Sequence, residues 1–241
     1  KAFQAMLTLI GLGLNDEKDI SVKGLERVKK ADIVYLENYT SKLQCSKESL
    51  EKLYGKEIQL VEREVVENAT AILSQAAYNN IVLLIVGDVF SATTHIALYK
   101  EAKEKGIEVR VIHNASILNA VGITGLELYK FGKTTSVPFH ESETAFKVIK
   151  ENAPLHTLCL LDLVPSENKF MEAVEAIEKL KNSGFDTNTK VLVCAQLGSD
   201  APIILYTEAK NVKALQKFPQ CLIIPGELHF MEKEMLESYY P

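Results

Sequence analysis

Four apolar runs in this sequence end in groups that can do chemistry. Residues 81–86 (IVLLIV) run into Gly87-Asp88, and Val111-Ile112 into His113-Asn114-Ala115-Ser116. Leu160-Leu161 runs into Asp162, and Ile223-Ile224 into Pro225-Gly226-Glu227-Leu228-His229. A buried strand that stops in polar groups and turns toward a helix is where open α/β sheets present their ligands. At the first of these ends Gly87 permits close backbone approach, Asp88 offers a carboxylate acceptor, and Ser91, Thr93 and Thr94 supply hydroxyls and helix caps. Each loop alone is explained equally well as a plain strand–turn–helix connection. Several such ends in one chain point to the walls of a cleft.

Other chemistries lack their residues. Gly11-Leu12-Gly13-Leu14-Asn15-Asp16 follows a strand pattern, but Asp16 stands where a dinucleotide fingerprint has its third glycine. An acidic residue there repels a pyrophosphate, which argues against a nicotinamide cofactor. There is no GxxxxGK[ST] loop and no GxSxG elbow. The five histidines (His95, His113, His140, His156, His229) and four cysteines (Cys45, Cys159, Cys194, Cys221) show no metal-ligand spacing. Cys159 and Cys194 sit inside apolar strand patterns, as small core residues do. A reducing, cytoplasmic setting is expected.

The elements that must position these groups alternate from end to end. Strands are expected at 7–10, 32–37, 58–61, 81–86 and 108–112, with helices at 21–30, 64–78 and 93–105. After a looser stretch at 114–133 come strands at 134–139, 157–162, 191–195, 203–207 and 222–224. Helices are expected at 116–121, 142–151 and 167–182, the last with Phe170, Val174, Ile177 and Leu180 on one stripe. Alternation of this kind predicts an α/β protein. Two α/β domains are expected, residues 1–113 and 114–241. Of the 241 residues 47% are hydrophobic, which supports a sizeable core, and the net charge of -5 argues against a nucleic-acid partner. No apolar run reaches the ~20 residues of a membrane span, and the N-terminus lacks a signal-peptide layout. Met6 sits just before the first strand, so residues 1–5 are expected to be an added remnant.

Seven stretches coincide with one family. LTLIGLGLNDEKDIS (7–21), ENYTS (37–41), GDVFSATTH (87–95), VIHNASILNAVGITGLELYKFGKT (111–134), LHTLCLLDL (155–163), LGSDAPII (197–204) and IIPGELHFME (223–232) cover both halves in order. The chain resembles the diphthine synthases, a branch of the tetrapyrrole-methylase-like class III methyltransferases. The resemblance implies two α/β domains of the tetrapyrrole-methylase type, with S-adenosylmethionine folded in the cleft between them. It also implies a homodimer that methylates the modified histidine (the diphthine intermediate) of translation elongation factor 2. Carried over by motif, the cofactor contacts are Leu14, Asp88, Ser91, Ser116 and Ile117, then Leu161, Ala195 and His229. No catalytic residue and no metal come with the motifs. The chain departs from the family at Val89, where proline is usual, and at Gln196, where arginine is frequent. Two other readings are a class III methyltransferase acting on a tetrapyrrole and a non-catalytic cofactor-binding relative. An assay of methyl transfer separates them.

Overall fold

Residues 81–85 are apolar at every position, a pattern that requires cover on both faces of a sheet. In the computed structural model, which describes residues 5–37 and 39–240, each of these five side chains is at most 2% exposed. Residues 1–4, Asn38 of the ENYTS stretch and Pro241 lie outside the described residues. The chain divides into two compact units, Lys1–Leu118 and Asn119–Pro241.

The first unit carries strands β1 (Met6–Gly11), β2 (Ile33–Glu37), β3 (Gln59–Val61), β4 (Asn80–Ile85) and β5 (Val109–Ile112). They form one parallel sheet in the order β3-β2-β4-β1-β5. Its helices are α1 (Val22–Lys30), α2 (Lys47–Tyr54), α3 (Arg63–Glu67), α4 (Thr70–Ala76) and α5 (Ile96–Glu104). Strand alternation splits the core in two. Leu7, Leu9, Leu83 and Ile85 pack with Ile72 and Leu73 of α4 and Leu98 of α5. Ile10, Val82 and Leu84 face the other way, toward Val28 of α1 and Leu50 and Tyr54 of α2.

The second unit begins within α6 (Ile117–Ala120). It holds β6 (Thr135–Val137), α7 (Thr144–Asn152), β7 (Thr157–Leu161) and the short hairpin β8 (Leu163–Val164) and β9 (Lys169–Phe170). Then come α8 (Ala173–Asn182), β10 (Lys190–Ala195), β11 (Ile203–Glu208), β12 (Gln220–Ile224) and α9 (Phe230–Glu237). Its sheet is mixed, in the order β11-β10-β12-β7-β6 with the β6–β7 pair parallel and the rest antiparallel.

Four sequence expectations change. The helix expected over 64–78 is broken into α3 and α4, because Ala69 turns left-handed (φ 47°) and is held there, buried in the core. The helix expected from residue 93 starts at Ile96, with His95 rather than a threonine at its N-cap and no side-chain capping bond. Thr93 instead donates its hydroxyl to the Val89 carbonyl at 2.7 Å. The stripe expected over 167–182 becomes Ala173, Ala176, Ile177 and Leu180, since Glu172 caps α8 and Phe170 leaves to stack on Phe218. Helices α2 and α9 were not foreseen. Ser46 caps the first, which ends at left-handed Gly55, and His229 and Glu232 form a capping box at the second.

Candidate functional site

The carboxyl ends of β4, β1 and β5 lie side by side, and their loops build one constellation. Gly13 and Gly87 exchange backbone hydrogen bonds of 3.1 and 2.8 Å, tying the loop after β1 to the loop after β4. Both are left-handed, at φ 79° and 82°. Asn114 ties in the third loop by donating its amide to the carbonyls of Gly11 (3.0 Å) and Asp19 (2.9 Å). At Gly11 the packing is too close for any side chain, since a Cβ would meet the Gly87 carbonyl oxygen at 2.6 Å.

Asp88 organises the centre. Its Oδ1 accepts from the Asn114 N–H (3.0 Å) and from His113 Nδ1 (2.8 Å). Its Oδ2 accepts from the Phe90 N–H (3.2 Å) and the Ser91 hydroxyl (3.3 Å). Burial pushes this carboxyl up, but the backbone N–H groups of Asn114 and Phe90, with the His113 imidazole, outweigh it and hold the group below the ordinary carboxylate range. Val89, the departure from proline, is fully buried in the core and anchors the loop by packing instead. Phe90 packs edge-on against Tyr99.

The turn after β1 shows what ligand this corner fits. The Leu14 and Asn15 N–H groups both point at Asp19 Oδ2, at 3.1 and 2.8 Å. In a phosphate-binding turn those donors would hold the ligand's oxygens; here the chain's own carboxylate holds them. Asp16, suspected of repelling an anion, caps its own turn by accepting from the Lys18 N–H at 2.9 Å. At Gly87 a Cβ would stand in ordinary van der Waals contact with Leu14 Cδ2 and the Ala115 carbonyl oxygen, both at 3.9 Å, so these two groups close around the glycine. With its N–H donors taken and two carboxylates present, this corner disfavours a phosphate-bearing ligand.

Of the residues carried over by motif, Leu14, Asp88, Ser91, Ser116 and Ile117 come together here. Ser116 is buried, with its hydroxyl accepting from the Leu118 N–H (3.2 Å), and Ile117 opens α6. In the second unit, Leu161 and Ala195 end β7 and β10, which flank β12 at the same edge of the sheet. Asp162, after Leu161, is occupied by the N–H groups of Phe139 (3.0 Å) and Leu163 (2.9 Å). Gln196, after Ala195, is left-handed (φ 53°), and its side chain donates to the Phe218 carbonyl. His229 follows the opposite end of β12, so the sheet does not bring it to Leu161 and Ala195. Its exposed ring lies tilted against Phe230, centroids 4.3 Å apart, and its Nδ1 accepts from the Met231 N–H.

A buried network supports that turn. Glu232, with no exposure, accepts from His156 Nε2 (2.9 Å) and the Glu127 N–H (2.9 Å) through Oε1. Its Oε2 accepts from Lys130 Nζ (2.5 Å) and the His229 N–H (2.8 Å). Burial alone would raise its pKa; these four donors bring it down to about 2. Sequence reasoning flagged His113 and Asn114 only as polar groups at a strand end, and missed Asp19 and this network. An acceptor a few residues beyond a glycine turn is a signal for Asp19, but Glu232 and His156 are 76 residues apart and carry none.

Comparison with known proteins agrees with this architecture. Residues 6–212 match the family model of Tetrapyrrole (Corrin/Porphyrin) Methylases. A diphthine synthase of Methanococcus vannielii is 45% identical, covering 98% of this chain and 99% of that protein. A relative from Arabidopsis thaliana, named "Probable diphthine methyl ester synthase", is 41% identical over 97% of this chain and 98% of its own length. The crystal structure of a diphthine synthase superimposes with a TM-score of 0.93 at 40% identity, covering 98% of this chain and 97% of that one. With relatives this similar along nearly its whole length, the chain belongs to the tetrapyrrole (corrin/porphyrin) methylase family, among the diphthine synthases.

Proposed function

We propose that this protein transfers methyl groups from S-adenosylmethionine to the modified histidine of translation elongation factor 2, in diphthamide biosynthesis. Full-length similarity to diphthine synthases supports the substrate. The observation that carries the cofactor is the corner at Gly87: the Asp88 carboxylate at the end of β4, next to a turn whose N–H donors Asp19 already takes. S-adenosylmethionine bears a sulfonium and an ammonium and no phosphate. Leu14, Asp88, Ser91, Ser116 and Ile117 are its proposed contacts from the first unit, and Leu161, Ala195 and His229 from the second. Residues 1–113 and 114–241 are the proposed domains, and the protein acts in the cytoplasm as a homodimer. Ile123, Tyr129, Phe230 and Met231, each more than half exposed in the second unit, supply apolar surface for a second copy.

When bound, the cofactor supplies an electrophilic methyl group. Transfer of that methyl group to a nitrogen would create little net charge for the chain's own residues to stabilise. Positioning then supplies most of the acceleration, with reacting atoms held roughly 3–3.5 Å apart. The chain's residues bind, orient and keep the acceptor amine unprotonated. Incubating the protein with methyl-labelled S-adenosylmethionine and unmethylated elongation factor 2 tests this. Label on the modified histidine is expected; label on a tetrapyrrole instead, or none on either, overturns it.

A further inference from the structure

Methylation of an amine has one requirement that positioning does not meet. The acceptor arrives protonated at neutral pH and must lose a proton before each attack. Most acid–base groups near the strand ends are committed elsewhere. Glu37, at the end of β2, is buried, with Oε2 taken by the N–H groups of Tyr39 and Thr40 and the Thr40 hydroxyl. Asp19 and Asp162 each hold two backbone N–H groups, and Glu232 is buried under four donors. His113 differs. Its side chain is 68% exposed at the end of β5, three residues from Ser116, while its Nδ1 lies 2.8 Å from Asp88 Oδ1.

An ionised carboxylate can only accept a hydrogen bond, so Nδ1 carries the hydrogen and the neutral ring leaves Nε2 as a bare acceptor. Nε2 has no hydrogen-bond partner among the described residues. Asp88 is the charged group that meets the ring, and Phe90 is the aromatic one, edge-on at 6.2 Å. The carboxylate is itself fixed by three further donors, so the ring's tautomer and direction are set before any ligand arrives. A carboxylate that orients an exposed imidazole and leaves its far nitrogen unpaired is the arrangement of a general base and its orienting partner.

We infer that His113 is the base that takes the proton from the acceptor amine, with Asp88 as its positioning residue. This rests on the methyltransferase reading above. Nε2 takes one proton from the ammonium of the substrate, giving an imidazolium and a free amine. The amine's lone pair forms the new N–C bond to the methyl group, and the electron pair of the breaking C–S bond stays on sulfur. The imidazolium then gives its proton to water, and the cycle repeats while the nitrogen still carries hydrogen.

His113→Asn is the informative variant, because its amide can still donate to Asp88 while the base is gone. Its affinity for S-adenosylhomocysteine by calorimetry is expected to stay within twofold of the parent protein. Its single-turnover methyl transfer at neutral pH should fall by about 10²–10⁴-fold, with the loss shrinking as pH rises and the amine sheds its own proton. Separately, ¹⁵N NMR of the free parent protein should show His113 as the Nδ1–H tautomer, lost in Asp88→Asn. Unchanged transfer in His113→Asn, or an Nε2–H tautomer in the parent protein, overturns the inference. If the parent protein itself neither binds S-adenosylhomocysteine nor transfers methyl groups, the failure belongs to the methyltransferase reading.

Discussion

Aspartate plays two opposite parts within one corner of this protein. Asp88 gathers donors from its own loop and from the loop after β5 and so fixes the two against each other; Asp19 removes donors from circulation by accepting the N–H groups of Leu14 and Asn15. Neither role depends on a cation, and both follow from carboxylates placed where backbone N–H groups converge. His95 shows the cost of burying a titratable group without such partners. It is 1% exposed, its Nδ1 is unpaired, and burial lowers its pKa to about 4. The unfolded chain therefore binds the proton more readily than the folded one between about pH 6.5 and pH 4, and stability should fall across that window as the pH is lowered. His95→Leu should lose that dependence, a difference of the order of 2–3 kcal/mol between the two pH values. Urea denaturation of both proteins at pH 7 and pH 4 measures it; equal losses in both would show that His95 is not the group responsible.

Among the elements, α9 and the 122–132 segment are held together by Glu232. Removing one member of a buried, charged network leaves the others unpaired, at a cost of about 3–5 kcal/mol. Glu232→Ala should show a loss of that size at pH 7 in equilibrium unfolding. Because the folded pKa lies at about 2, below the ordinary value, the stability Glu232 supplies is complete above the unfolded value near 4.5 and disappears as pH falls toward 2. The gap between parent and variant should narrow over that acidic range. The same element shows what the sequence does and does not disclose. The buried strand β4 was readable because residues 81–85 are apolar at every position, and the alternation of strands and helices carried the α/β class. The loop residues at Gly87, Asp88 and Ser116 were readable as strand ends. What joins them was not: Asn114 reaches back across 103 residues to Gly11, and a hydrogen bond of that reach has no local pattern. Helix α9 was hidden because its cap is a histidine, a residue type that seldom announces a helix start.

At the scale of the whole molecule, an acidic chain acting on another protein has to rely on shape and apolar contact more than on bulk charge. Ile123, Tyr129, Phe230 and Met231 are exposed in the second unit, where Gly125 packs closely on Met235 and Gly122 on Leu128. If a second copy covers this surface, Ile123→Glu should halve the sedimentation mass without changing the circular dichroism spectrum. A parent protein that already sediments as a single chain would refute the dimer.

The carboxylate of Asp19 has a consequence for the company this protein keeps. Any cell holds far more ATP than S-adenosylmethionine, and the two share the same adenosine. A pocket that recognised adenosine alone would spend its time filled with the wrong molecule. By seating its own negative charge on the two N–H groups where a triphosphate would seek purchase, the chain makes the commoner nucleotide both unwelcome and unpaid for its desolvation. On the proposed reading, a turn whose donors are already satisfied from within disfavours those adenosine ligands that carry phosphate.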